Sequence, residues 1–261
     1  MNVTGTDNLK SDFEENGYVL VRGLLPQEVI SSYLAGFIAT ISPEEDLKKL
    51  SKVDPSLLFD VLSEHLAILK DEKTKEHFIG LLKAYTLSVN SKNIVYNSRL
   101  VEFVCNLMGT NLVSQIGNPV LHVVGDQLSF DGRKLNAPWH QDWPALKTSQ
   151  KTIVCWVPFG GAENGGELKM KRKSHSQGTF DSVGVSNVVE INEKEIEAFD
   201  TVSFAMRPTD CLIFDSFLVH GSDHCEHNRL AMSFRFENLL CDEWRARDFN
   251  SNHKYKLEKS S

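Results

Sequence analysis

His140 and Asp142, within Trp139-His140-Gln141-Asp142, and His220, within Phe217-Leu218-Val219-His220-Gly221-Ser222, are residue types that bind divalent transition metals. Two imidazoles and one carboxylate in the order His-x-Asp … His make the facial set that holds one side of a non-haem Fe(II) and leaves three positions open. A bidentate 2-oxo acid would fill two of them and dioxygen (O2) the third, so one ion would bring a reductant and O2 together beside a substrate. Arg229 follows in the chain. Its guanidinium is a rigid fork suited to the distal carboxylate of 2-oxoglutarate, which it would take in two parallel charge-assisted hydrogen bonds.

A His-x-Asp pair alone is a short pattern, so its surroundings carry the weight. On a β-strand, positions i and i+2 share a face, and His140 and Asp142 are therefore expected to reach one metal from a strand end. The apolar run from Cys211-Leu212-Ile213-Phe214 to Phe217-Leu218-Val219 reads as a buried strand that ends at Gly221-Ser222 with His220 at its tip. In the last strong strand, Arg229, Ala231, Ser233 and Arg235 fall on one face and Leu230, Met232, Phe234 and Phe236 on the other. A buried arginine needs a carboxylate, from the protein or from a ligand. The same logic leaves Arg235 open between a substrate contact and an internal ion pair.

A zinc cluster of His220, His224, Cys225 and His227 is the competing metal reading. His-x-x-x-His spacing works on a helix, however, and Gly221-Ser222-Asp223 breaks helical register after a strand. His224 and His227 are accordingly read as loop residues, and His65, His77 and His122 as packing or surface residues.

The elements that must position these side chains change character near residue 112. Before it, helical periodicity dominates: Ile30, Tyr33, Leu34, Phe37, Ile38 and Ile41 behind Pro26; Leu58, Val61, Leu62 and Leu69; Phe78, Leu81, Leu82 and Tyr85; and Leu100, Val101, Val104 and Leu107 up to Gly109. After it come short β-rich runs: Val120 to Phe130, Thr152 to Phe159, Glu167 to Lys171, Val202 to Met206, Asp210 to His220 and Leu230 to Glu237. Helices first and strands afterwards predict a mainly β fold with α, a double-stranded β-helix (jelly-roll, cupin-like) core buttressed by N-terminal helices. The expected organisation is one domain over 1–261, with a mostly helical layer and an N-terminal strand in 1–112, the core in 113–240 and a tail in 241–261.

At 261 residues the chain is long enough for such a core, and 28 basic against 35 acidic side chains give a net charge of −7. That balance offers no general nucleic-acid surface. No stretch is apolar enough to span a bilayer, and the first residues lack a basic segment followed by an apolar one, so neither membrane insertion nor secretion is expected. Five cysteines, odd in number and without a Cys-x-x-Cys pair, fit reduced thiols in a cytoplasmic protein. Oligomeric state is not legible.

Trp139-His140-Gln141-Asp142, Glu163-Asn164-Gly165-Gly166-Glu167-Leu168 running to Ser174-His175, and Asp210 to His220-Gly221-Ser222 with Arg229 together resemble the phytanoyl-CoA dioxygenase family of Fe(II)/2-oxoglutarate oxygenases. Phe13-Glu14-Glu15-Asn16-Gly17-Tyr18-Val19-Leu20-Val21 is similar to that family's opening helix and strand. Where the family usually has Pro-Gly-Ser-His, this chain has Arg172-Lys173-Ser174-His175. The resemblance implies a hydroxylase of a small-molecule substrate that uses Fe(II), 2-oxoglutarate and O2, with Ser222 and Trp156 lining the 2-oxoglutarate pocket and Gln127 donating to its C1 carboxylate. Related iron halogenases replace the carboxylate ligand with a small residue, so Asp142 points to hydroxylation, or another oxidation such as desaturation, rather than halogenation. Because the family acts on acyl-CoA esters among other substrates, Lys169-Met170-Lys171-Arg172-Lys173 is a candidate anion patch, with protection of an exposed edge strand as the favoured reading. A non-oxidative jelly-roll metalloenzyme or isomerase, and a catalytically silent binding protein of the same fold, are the alternatives.

Overall fold

The division between helical and alternating patterns carries into the computed structural model, which describes residues 6–42, 46–67, 71–124, 137–146, 148–183, 190–223 and 225–246. Gln127, His224 and the tail beyond 246 lie outside the described residues. Helix α1 (Thr6–Asn16) leads into strand β1 (Tyr18–Val21), and α2 (Gln27–Ile41), α3 (Leu47–Leu50), α4 (Pro55–Ala67), α5 (Glu72–Tyr85), α6 (Val89–Val95) and α7 (Ser98–Met108) follow. Pro26 precedes α2 with φ −60°, where its missing N–H costs nothing, and Ile30, Tyr33, Leu34, Phe37 and Ile38 form the buried stripe. Asn97 caps α7 by accepting from the Arg99 amide, and Gly109 ends it in the left-handed region.

Strands β2 (Val113–Val124), β3 (Ile153–Gly160), β4 (Lys169–Lys171), β5 (Ser182–Val183), β6 (Glu190–Ile191), β7 (Thr201–Ser203), β8 (Cys211–Asp215), β9 (His220–Gly221) and β10 (Arg229–Asn238) make up the rest, with short helices α8 (Trp143–Leu146), α9 (Glu193–Ile196) and α10 (Asp242–Ala246) between or after them. The larger antiparallel sheet has the order β1-β8-β3-β10-β2 and the smaller β7-β4-β9. The two form a jelly roll, with the helical layer on the outer face of the larger sheet.

Strand β10 shows why the sequence folds this way. Leu230, Met232, Phe234 and Phe236 are buried with Ile30, Tyr33 and Phe37 beneath the helices, and each such side chain contributes roughly 1.5–3 kcal/mol when fully buried. On the opposite face Ala231 joins Val154, Trp156, Leu168, Met170, Leu212 and Phe214 between the sheets. Arg229, Ser233 and Arg235 share that inner face and are also buried. A strand paired on both sides, with β3 and β2, thus carries two arginines into the interior.

Three expectations change. The run from Asp210 to His220 is two strands in different sheets, because the Asp215 carboxylate accepts from the Phe217 amide at 2.7 Å and turns the chain before His220. Asp142 does not continue a strand from His140; its carbonyl accepts from Ala145 and Leu146 as α8 begins. Nor is β4 an edge strand, since it lies between β7 and β9, so aggregation protection does not explain its lysines. Met170 is buried between the sheets while Lys169 and Lys171 share the outer face. Lys169 pairs with Asp223, Lys171 sits 5.1 Å over the Trp139 ring, and Lys173 pairs with Glu15.

Lys173 itself occupies the left-handed region at φ 67°, which achiral Gly enters freely and L residues other than Asn and Asp avoid. Its amide donates to Asn16 O at 3.0 Å and its ammonium to Glu15 at 2.7 Å, tying the turn to the end of α1. Glycine should relax the backbone here. In a Glu15→Gln background, Lys173→Gly is expected to raise unfolding stability by about 0.5–1 kcal/mol. A loss of stability on chemical denaturation in that background would show that the turn carries no strain.

Candidate metal and cosubstrate site

His140 and His220 are joined before their side chains meet. Each amide donates to the other's carbonyl at 2.9 Å, an isolated antiparallel bridge that extends the smaller sheet. Each ring then repeats one local device: His140 Nδ1 lies 2.7 Å from Pro138 O and His220 Nδ1 2.9 Å from Leu218 O, in both cases the carbonyl two residues upstream. A carbonyl only accepts, so each Nδ1 carries a proton, the tautomer that in a neutral ring leaves Nε2 its lone pair for a metal. The Nε2 atoms are both 3.7 Å from Asp142 Oδ1, and the three ligand atoms lie within 4.8 Å of one another.

Charge agrees with geometry. Burial, and next the neighbouring His140, push the His220 imidazole down to about 3, so it stays neutral. Burial opposes ionisation of Asp142, but Arg235, His220 and His140 together outweigh it and hold the carboxyl well below its usual range. Arg235 donates to Asp142 Oδ2 from Nε at 2.9 Å and from Nη2 at 2.6 Å. A neutral His220 imidazole and an ionised Asp142 are protonation states that suit a divalent ion. Among the described residues, this is the one His/Cys/Asp/Glu group whose ligand atoms converge.

Gln141, between the two ligands, is buried rather than outward. Its amide nitrogen donates to Gly178 O at 2.7 Å and Phe217 O at 2.5 Å, and its oxygen accepts from the Phe180 amide at 3.0 Å. That side chain locks the loop in which His140 and Asp142 sit. Phe214, whose ring centroid is 4.6 Å from that of His220, forms an apolar wall beside the site.

Arg229 is 3% exposed, with Nη1 donating to Gly166 O at 3.1 Å and Nη2 to Ser222 Oγ at 3.2 Å. Its Nε has no hydrogen-bond partner, and among the described residues no carboxylate pairs with it. Burial accordingly pulls the guanidinium below its usual pKa. Ser222 Oγ also accepts from the Ala137 amide at 3.1 Å, which leaves its own hydroxyl hydrogen to donate. Glycines permit this closeness: a Cβ on Gly161 would lie 2.0 Å from Asn228 O, and one on Gly166 1.9 Å from Gly161 O. The loop can therefore press against the residue before Arg229 and aim the Gly166 carbonyl at it.

Trp156 is buried on the inner face of β3, opposite Ser233 and Leu212, within the apolar packing between the sheets. His122, expected to be a packing or surface residue, instead faces the site from β2. It pairs in register with Ala231, and its Nε2 lies 2.8 Å from Ser233 Oγ. Burial, followed by Arg235 and Arg229, pushes it down to about 3. Cys225 and His227 bond locally, Sγ to His227 O and Nε2 to Gly161 O, and do not join the triad. A cleft of about 1170 Å³, lined by Arg22, Asp60, Gly161, Arg207 and Asn228 among others, contains none of the triad residues.

The family model for phytanoyl-CoA dioxygenase (PhyH) matches residues 13–226. The chain belongs to the PhyH family. No curated protein sequence matches it. Among solved structures, the epimerase SnoN in complex with Fe3+, alpha ketoglutarate and nogalamycin RO has a TM-score of 0.61 at 14% identity, over 89% of this chain and 83% of that one. The alpha ketoglutarate dependent carbocyclase SnoK from nogalamycin biosynthesis gives 0.57 at 12% identity, over 98% and 96%. EctD from S. alaskensis with bound Fe gives 0.57 at 13%, over 99% and 89%. These neighbours share the jelly-roll fold of non-haem Fe/2-oxoglutarate enzymes. In this PhyH protein the stretch Arg172-Lys173-Ser174-His175, which departs from the family's usual Pro-Gly-Ser-His, still places Ser174 Oγ where it accepts from the Val219 amide at 2.9 Å, next to His220.

Proposed function

We propose that this protein is an Fe(II)- and 2-oxoglutarate-dependent dioxygenase that hydroxylates a C–H bond of a small molecule, with release of succinate and CO2. The observation that carries the reading is Arg229, a buried cation with an idle Nε that pairs with no carboxylate among the described residues, on the same inner face of β10 as Arg235, which holds Asp142. A buried charge left unpaired is costly, and an anionic ligand removes the cost. The distal carboxylate of 2-oxoglutarate supplies such an anion.

In this reading His140, Asp142 and His220 hold the iron, and Arg229 with the Ser222 hydroxyl holds the far end of the cosubstrate. Trp156 floors the pocket, and Gln127 donates to the C1 carboxylate. When bound, iron and 2-oxoglutarate supply the oxidative chemistry by decarboxylation coupled to O2 reduction. The chain supplies orientation and dryness: Phe214 and Trp156 exclude water, and Nδ1–H groups anchored on backbone carbonyls keep both imidazoles from turning. No protein nucleophile or general base is required. Asp142 fills the position that chloride would need, which favours oxygen transfer over halogenation. The five cysteines are all free, in keeping with a cytoplasmic setting.

The test is anaerobic titration of the Fe(II)-loaded protein with 2-oxoglutarate, followed by exposure to labelled O2 with a panel of candidate substrates in chloride-rich and chloride-free buffer. A visible Fe(II)/2-oxoglutarate charge-transfer band, succinate formation and labelled oxygen in a product are expected. Absence of 2-oxoglutarate binding would overturn the cofactor assignment, and a chlorinated product would overturn hydroxylation.

A further inference from the structure

Arg235 is placed to decide how Asp142 uses its two oxygens. Both side chains are buried, Asp142 at 8% and Arg235 at 9% exposure, so little water competes for either. The guanidinium directs two N–H groups, Nε at 2.9 Å and Nη2 at 2.6 Å, onto one oxygen, Oδ2. The other, Oδ1, is left 3.7 Å from each of the two imidazole Nε2 atoms. The two partners differ in firmness. Arg235 stands on β10, paired with Val154 of β3 on one side and Ile116 of β2 on the other, whereas Asp142 belongs to a loop entering the four-residue helix α8.

We propose that Arg235 is a positioning residue that keeps Asp142 a one-oxygen ligand and so reserves the last open position of the metal for O2. The inference rests on the iron and 2-oxoglutarate reading given above. A carboxylate bound through one oxygen leaves three of six positions open, two for the 2-oxo acid and one for O2. A carboxylate free to chelate takes the last of these. Two hydrogen bonds on Oδ2 oppose chelation, because turning that oxygen to the metal breaks both within a water-poor interior. Charge balance alone is a weaker role that any cation at this position would meet. A fork is different: a lysine ammonium is a point charge and does not reproduce a two-nitrogen contact fixed in one plane.

The experiment uses the full chain, loaded anaerobically with Fe(II), in wild type, Arg235→Lys and Arg235→Gln. Two readouts are independent of turnover: the Fe(II)/2-oxoglutarate charge-transfer band, and nitric oxide binding to that complex by electron paramagnetic resonance, with nitric oxide standing in for O2. In both variants the band is expected to persist while nitric oxide affinity falls at least about tenfold. If Arg235→Gln does not fold, Arg235→Lys, which keeps the charge, decides alone. Wild-type nitric oxide affinity in Arg235→Lys overturns the inference and leaves the cofactor reading intact. Loss of iron from that folded variant also overturns it, since the role would then lie in holding the ion. Absence of the band in wild type removes the cofactor reading and this inference together.

Discussion

Arg229→Lys raises the 2-oxoglutarate concentration needed for half-saturation by about 30- to 150-fold, the equivalent of roughly 2–3 kcal/mol for a buried charge-assisted hydrogen bond. Iron affinity should hardly move, because Arg229 contacts Gly166 O and Ser222 Oγ rather than any member of the triad. An ammonium keeps the charge but cannot present two nitrogens to both oxygens of a carboxylate. Arg229→Met separates binding from folding. It abolishes cosubstrate binding, yet removes a buried cation that has no counter-ion among the described residues, so without ligand the variant should unfold about 1–2 kcal/mol less readily than wild type. Thermal shift reads both effects, since 2-oxoglutarate should stabilise the iron-loaded wild type and not the methionine variant. Equal 2-oxoglutarate affinity in wild type and Arg229→Lys would reassign Arg229 to a structural role.

The second large effect concerns Asp142 and Arg235 as a unit. Asp142→Ala strands a buried guanidinium, and Arg235→Leu strands a buried carboxylate beside two imidazoles, so each alone should cost the metal-free protein about 3–5 kcal/mol. The double variant leaves neither charge unpaired. Its destabilisation should be smaller than that of either single variant, a coupling visible in a denaturant double-mutant cycle. His140→Ala and His220→Ala leave the Asp142–Arg235 pair intact and should cost less stability, yet all three alanine variants of the triad should weaken iron binding by more than about 100-fold. Full iron occupancy in any two of them would falsify the ligand assignment, and additive stabilities in the cycle would sever the link between Asp142 and Arg235.

How much of this was legible from residues alone depends on how far each side chain's meaning reaches along the chain. Strand β10 announces itself: four large apolar residues alternate with Arg229, Ala231, Ser233 and Arg235, and period two assigns both faces without knowledge of any partner. The triad is equally local in residue type, because few combinations other than a metal site call for His-x-Asp and a later histidine before an inward arginine. Arg235 is the contrary case. Its inward direction follows from alternation, but the choice between ligand and ion pair needed Asp142, 93 positions away, to be placed beside it. His122 was hidden because β2 shifts register against β10 between Ser233 and Arg235, which breaks the simple alternation of its own strand. The turn at Asp215 was masked by the apolar residues on both sides of it, since a buried turn satisfied by its own carboxylate looks like continued strand. Strand order in the smaller sheet has no local signature, so the interior position of β4 could not be read.

The reciprocal backbone hydrogen bonds between His140 and His220 set the spacing of the two rings before any ion arrives. A cradle assembled in advance spends little of its binding energy on ordering itself, and it is also undiscriminating. Nitrogen and oxygen donors at a fixed spacing follow the general affinity order of first-row divalent ions, in which Co(II), Ni(II) and Cu(II) all outrank Fe(II). Metal identity is then decided by supply rather than by the protein. Material purified on a nickel column, or from cells grown on cobalt-rich medium, is expected to arrive with the wrong ion seated and to show no turnover. Its apparent inactivity would record the history of the preparation, and removal of the metal followed by reloading under nitrogen should restore it.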